Sequence, residues 1–148
     1  QDGKRIHEGI ELTITGKVTD NFTVITGGTI LDPKIDKSND PKLEGKKPTG
    51  TASKMAKLYA EYDVTQIKGI TLTGGAYYTG SRFADNTNLQ EIDAYTIYDA
   101  GLRYKTKLDK YPTTFNLNIA NLTNESYWAS SDTLGIPRNI AYSMKVEF

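Results

Sequence analysis

Apolar and polar residues alternate along most of this chain, and helical spacing is weak. In Arg5–Val18 one parity reads Ile6, Glu8, Ile10, Leu12, Ile14, Gly16 and Val18. The other reads Arg5, His7, Gly9, Glu11, Thr13, Thr15 and Lys17. One apolar and one polar face in strict alternation predict a strand with two different surroundings. Thr19-Asp20-Asn21 predicts a tight turn. Phe22–Leu31, rich in Thr, Ile and Gly, predicts a second strand of ambiguous parity, followed by a loop over Asp32–Pro48 with three prolines and five lysines. Further strands are predicted at Thr51–Tyr62, Ile70–Phe83, Ala94–Tyr104, Thr114–Leu122 and Arg138–Phe148. Polar connections fall at Gln66–Gly69, Ala84–Ile92, Lys107–Pro112 and Thr123–Pro137. Lys54 and Met55 each interrupt the alternation of the third strand, where Ala52, Ala56, Leu58, Ala60 and Tyr62 share a side.

The result is an all-β, antiparallel meander of about seven strands. Strands of about ten residues are long enough to cross a bilayer at a tilt of about 45°. The connections run short, long, short, medium, short, long, as expected of a transmembrane β-barrel with tight turns on one side and long loops on the other. The alternative is a soluble secreted antiparallel β-domain serving as a binding module, which would need its two open edges covered.

Composition narrows the choice. The 18 basic and 18 acidic residues cancel, and no basic face stands out, which argues against a nucleic-acid partner. There is no cysteine, so disulfides and thiolate metal sites are excluded. Mean hydropathy is low (−0.52) and no apolar run approaches the ~20 residues of a membrane helix, whereas barrel strands need no such run. An outer-membrane enzyme would need a nucleophile beside a base. His7 is the only histidine and has no recognisable partner motif, so no catalytic residue is assigned. No metal ligand set is assigned either. The Asn-X-Ser/Thr triplets at Asn21, Asn121 and Asn124 are read as incidental. The chain starts at Gln1 and shows no signal peptide, so a longer parent protein is expected. In isolation the segment is expected to aggregate unless its edges are paired or it is held in detergent.

Ten tyrosines are the main candidate chemistry. Tyr62, Tyr78, Tyr98, Tyr104 and Tyr142 share the apolar parity and are read as lipid-face and girdle residues. Tyr77 and Tyr95 share the opposite, lumen-facing parity near the long loops and are ligand-contact candidates. Tyr127 and Trp128, at the start of the last long loop, are candidates for ligand contact or for anchoring at the membrane interface. Asp99 and Arg103 lie on the lumen side of one strand and are expected to form separate ion pairs with neighbouring strands. Asn116, Asn118 and Asn121 are expected to serve the wall through hydrogen bonds.

In the last strand Ile140, Tyr142, Met144, Val146 and Phe148 alternate with polar or small residues, and the sequence stops on the aromatic. That pattern resembles the signal by which the barrel-assembly machinery of the bacterial outer membrane takes up its substrates. With Phe148 at the periplasmic rim, the three longer loops are expected to be extracellular.

Several segments resemble, in order and spacing, the end of a TonB-dependent ferric-siderophore receptor, the class that includes ferrichrome, ferrioxamine and pyoverdine receptors. They are Gly9-Ile10-Glu11-Leu12, Gly16-Lys17 and Gly27-Gly28-Thr29, then Tyr77-Tyr78-Thr79-Gly80-Ser81-Arg82-Phe83-Ala84-Asp85 and Tyr95–Tyr104. Asn118–Trp128 and Leu134-Gly135-Ile136-Pro137-Arg138 complete them. The resemblance implies that residues 1–148 are the C-terminal part, roughly the last third, of a 22-stranded barrel, with the plug domain and earlier strands elsewhere in the protein. It further implies a ferric-siderophore as transported ligand with no cofactor bound directly. The implied partners are outer-membrane lipid, the TonB complex through the missing N-terminal part, and the barrel-assembly machinery. A non-siderophore nutrient such as haem or cobalamin is the alternative ligand.

Overall fold

The computed structural model describes residues 3–148; Gln1, where the sequence begins, lies outside the described residues. Nine strands form: β1 (Lys4–Thr19), β2 (Phe22–Lys37), β3 (Lys54–Asp63), β4 (Ile70–Thr79), β5 (Arg82–Phe83), β6 (Glu91–Ile92), β7 (Tyr95–Leu108), β8 (Tyr111–Ala120) and β9 (Asn139–Val146). Seven of them make one antiparallel sheet in the order β1-β2-β3-β4-β7-β8-β9, and β5 pairs with β6 in a small ribbon within the β4–β7 connection. Every large-sheet neighbour is also the next long strand in the chain, so the sheet is a pure meander. One short 3-10 turn, Pro41–Leu43, is the only helical element among the described residues.

Register carries one face across the whole sheet. Phe22, Tyr62, Leu72, Leu102, Leu117 and Tyr142 stand opposite one another in turn from β2 to β9. Nearer the long loops, Ile14, Thr26, Leu58, Ala76 and Tyr98 form a parallel row. Because side chains alternate with a period of two, these rows lie on one side of the sheet, and the ambiguous parity of β2 resolves with Phe22, Val24, Thr26, Gly28 and Ile30 on it. The apolar side chains on this face have no protein cover: Ile10 is 76% exposed, Leu12 61% and Tyr142 66%. A continuous apolar face of this size fits a hydrocarbon surrounding and not water.

The structure corrects several boundaries. The expected loop at Asp32–Pro48 is strand as far as Lys37. β1 and β2 run on as a two-stranded ribbon beyond the last β2–β3 pair, Ile30↔Lys54. Prolines there suggested a loop, but Pro33 faces the side of β2 that has no partner strand at that height, so its missing N–H costs no ladder bond. Pro33 and Ile35 are buried under the returning loop, which bonds along β2 through Leu31 N to Ser53 O (2.8 Å), Ile35 N to Lys46 O (2.9 Å) and Gly45 N to Ile35 O (2.8 Å). β3 begins at Lys54 rather than Thr51, and β4 ends at Thr79 rather than Phe83. The expected turn over Lys107–Pro112 shrinks to Asp109-Lys110, with Asp109 in the left-handed region (φ 55°), and the flanking residues extend β7 and β8. The last strand spans Asn139–Val146, so Phe148 lies just beyond it, its ring edge-on to Tyr111 at 6.3 Å.

Short and long connections occupy opposite rims. Asp20-Asn21, residues 64–69 and Asp109-Lys110 close one rim; residues 38–53, 80–94 and 121–138 crown the other.

Candidate functional site

The polar face of the sheet carries one connected triad and several separate pairs. Arg103 of β7 reaches across β4 to Glu61 of β3, with Nη2 3.4 Å from Oε2, and the Tyr59 hydroxyl donates to the same carboxylate at 2.8 Å. Asp99 takes a different partner: its Oδ1 accepts from the Asn121 backbone N–H at 3.0 Å. Arg103 thus makes the expected ion pair with a neighbouring strand, whereas Asp99 has no ion pair among the described residues and is held by the backbone of Asn121, in the loop after β8. Asn116 is within 3.4 Å of the Ser143 hydroxyl, and Thr71 donates to Asp63 at 2.7 Å. Between these groups lies a shallow hollow of about 240 Å³ lined by Tyr59, Thr73, Gly75, Tyr77, Asp99 and Asn118. The Tyr77 side chain lies over Gly75: a Cβ there would sit 2.7–2.9 Å from its tip and displace it. Absence of a side chain at position 75 thus lets Tyr77 lie against the wall.

The long-loop rim is organised differently. Loops 38–53 and 80–94 are sewn together by two asparagines. Asn88 Oδ1 accepts from Lys47 N and Asn88 Nδ2 donates to Lys47 O, both at 2.8 Å. Asn86 Oδ1 accepts from Thr49 N (3.1 Å) and the Thr49 hydroxyl (2.7 Å). Asn121, 3% exposed and left-handed (φ 52°), ties both ends of loop 121–138. Its Nδ2 donates to Glu125 O (2.9 Å) and Ile136 O (3.1 Å), and its Oδ1 accepts from Glu125 N (2.8 Å). Asparagine suits this post because it tolerates the left-handed region and offers donors and an acceptor on one short side chain.

Between loops 80–94 and 121–138 stands Arg82, buried to 4% exposure. Its Nη2 donates to the carbonyls of Trp128 and Ala129, the latter at 2.9 Å. Its guanidinium carbon lies 5.5 Å from the centre of the Tyr95 ring, and Tyr95 packs on Tyr127 with ring centres 4.1 Å apart. The Tyr127 ring also lies against Gly135, where a Cβ would overlap it.

Four residues were candidates for ligand contact. The structure brings Tyr95 and Tyr127 together at the rim, places Tyr77 apart on the lumen wall, and leaves the Trp128 side chain 49% exposed. The Tyr127 ring is in contact with Tyr95 and lies against Gly135. Arg82 was missed as an organiser. Its signal was available: the chain has only four arginines among its 18 basic residues, and arginine is favoured over lysine where a planar multi-donor group must bond and stack at once. Of the strand-nine residues, Ile140, Tyr142 and Met144 project from the apolar face, Val146 pairs opposite Thr113 at the short-turn rim, and Phe148 is fully exposed.

A meander with one lipid-suited face, one polar face, tight turns on one rim and interlocked loops on the other defines a stretch of transmembrane β-barrel wall. The family described as "TonB dependent receptor-like, beta-barrel" matches residues 1–122, and the chain belongs to it. Over 99% of its length the chain is 31% identical to the ferrichrome receptor FcuA of Yersinia enterocolitica, of which it covers 20%. Its structure superposes on BauA, the ferric preacinetobactin receptor of Acinetobacter baumannii, with a TM-score of 0.92 and 32% identity, covering 99% of this chain and 23% of that one. The yersiniabactin receptor FyuA of Yersinia pestis shares the fold alone, with a TM-score of 0.83 at 13% identity over 99% of this chain and 24% of that one. The chain thus spans about a fifth of the length of FcuA, and its relatives are receptors of the Gram-negative outer membrane.

Proposed function

We propose that residues 1–148 form the C-terminal part of the barrel of a receptor that binds a ferric siderophore at the cell surface and imports it across the outer membrane. The plug domain, the contact with the TonB complex and the remaining strands belong to the rest of the protein. The observation that carries this reading is the seven-strand register, with its unbroken apolar face, superposing on the ferric preacinetobactin receptor over nearly the whole chain. In this reading the long-loop rim faces outward and the siderophore is cargo, with no resident cofactor and no catalytic step.

Tyr77 on the lumen wall, Tyr95 at the rim and the exposed Trp128 are the contacts this segment offers to a ligand; Tyr127 acts by packing on Tyr95. Ile140, Tyr142, Met144, Val146 and Phe148 present the strand that the assembly machinery captures while its outer edge is unpaired.

The test is iron uptake under starvation by cells with and without the gene for the full-length protein, using hydroxamate, catecholate and citrate chelates. Loss of uptake for one chelate is the expected result and names the substrate class. Unchanged uptake for all three would overturn the siderophore reading in favour of another TonB-dependent nutrient.

A further inference from the structure

We propose that Arg82 is the joint that couples loop 121–138 to the other two long loops, so that the mouth of the barrel moves as one body rather than as three independent flaps. The proposal rests on the reading of this rim as the ligand-entry face, but its test uses no ligand, so either can fail alone.

The argument begins with cost. A guanidinium buried to 4% exposure has lost most of its water, and among the described residues no carboxylate lies within ion-pair distance to offset that loss. What it has instead are two backbone carbonyls, at Trp128 and Ala129, and the face of Tyr95. Its Nη1 is buried without a partner among the described residues, so the site is not one where every donor is satisfied. A charge held on those terms is positioned by what it bridges, because breaking either contact leaves it buried and uncompensated.

What it bridges is specific. Loops 38–53 and 80–94 already share the Asn86 and Asn88 bonds and a backbone bond from Gly50 N to Phe83 O at 2.9 Å. Between loops 80–94 and 121–138, Arg82 makes every hydrogen bond found among the described residues. It sits on β5, in the ribbon that stiffens loop 80–94, and its carbonyl partners lie beside the Trp128↔Leu134 bridge that stiffens loop 121–138. Tyr95, the first residue of β7, lies against the guanidinium and also packs on Tyr127. Two locally rigid loops whose hydrogen bonds to each other, among the described residues, all come from one side chain move together while that joint holds and separately once it is cut.

The experiment measures distances between spin labels by pulsed electron paramagnetic resonance on the full-length protein in outer-membrane vesicles. One pair is Leu89→Cys with Ser131→Cys, across the joint. The control pair is Leu89→Cys with Lys42→Cys, across the asparagine links. Both pairs are expected to give narrow distances in the parent. Arg82→Met, similar in length but without donors or charge, is expected to lose the narrow distance across the joint and to keep the control. Arg82→Lys, which keeps a charged donor, is expected to restore a narrower distribution than Arg82→Met. A narrow joint distance in Arg82→Met overturns the proposal. So does equal broadening of both pairs, which would make Arg82 a residue of general folding. If Arg82→Met fails to reach the membrane, Tyr95→Leu removes the supporting ring, and the same ordering of the two distances decides the matter.

Discussion

The barrel wall and the cap of long loops solve opposite problems. In the wall, large side chains such as Ile10, Ile14, Leu58 and Ile140 stand at least half exposed, and stability must come from the hydrogen-bonded ladder and from lipid. In the cap and the ribbon beneath it, Pro33, Ile35, Pro48, Ala52, Arg82, Ile92 and Asn121 are buried within a few residues of chain reversal, and side chains bond to backbone wherever strands are lacking. The wall is specified by pattern, since any apolar residue of the right parity serves. The cap is specified by individual residues, because each of its backbone groups needs a particular partner.

The comparison can be broken most forcefully from the wall side. Leu58→Arg puts a charge near the middle of the apolar face and is expected to destabilise the folded barrel by about 2–4 kcal/mol, read as loss of the heat-modifiable folded form of the full-length protein. An unchanged folded fraction would mean that this face does not meet hydrocarbon. From the cap side, Asn121→Ala removes three hydrogen bonds and places a less tolerant residue at φ 52°. Opening of loop 121–138 should become easier by about 2 kcal/mol, seen as faster amide exchange there while β3 and β4 keep their protection. Equal acceleration in the wall would erase the distinction between the two regions.

The smallest expected effect is on pH. Hydroxyls of Ser130 and Thr133 donate to Asp132 and hold its carboxyl below the usual carboxylate range. A lowered folded-state value means that this stabilisation is complete above the ordinary aspartate range and is lost as pH falls through the lowered value. Amide exchange at residues 129–133 should therefore rise only in strong acid, and Asp132→Asn should flatten that dependence. A rise beginning near neutral pH would point to another group.

Legibility in the sequence follows the same division. Wall strands were readable because parity alone sets their faces: Tyr62, Tyr78, Tyr98, Tyr104 and Tyr142 all stand on the apolar side, and Tyr77 and Tyr95 on the other. Boundaries failed where a strand runs on past its neighbours and its two faces stop differing in polarity. Lys34 and Asp36 look like loop residues, yet they pair on the exposed ribbon with Asp32 at 2.8 Å and Lys4 at 3.1 Å. The cap was the least legible part. Nothing in the spacing of Arg82, Asn86, Asn88 and Asn121 announces that four polar side chains will replace strands as the ties between and within the loops. Tyr95 and Tyr127 were singled out one by one, but their contact depends on a chain reversal that periodicity does not describe.

The ribbon of β1 and β2 has a consequence for scale. From Gly9↔Leu31 to Lys4↔Lys37 it continues for six residues of β1 beyond the last β2–β3 pair, a rise of about 20 Å along the strand. It acts as a mast fixed in the wall, and loop 38–53 is rigged along it. A molecule approaching this rim meets the ribbon before it meets the seven-stranded sheet, on a surface whose height is set by strand length.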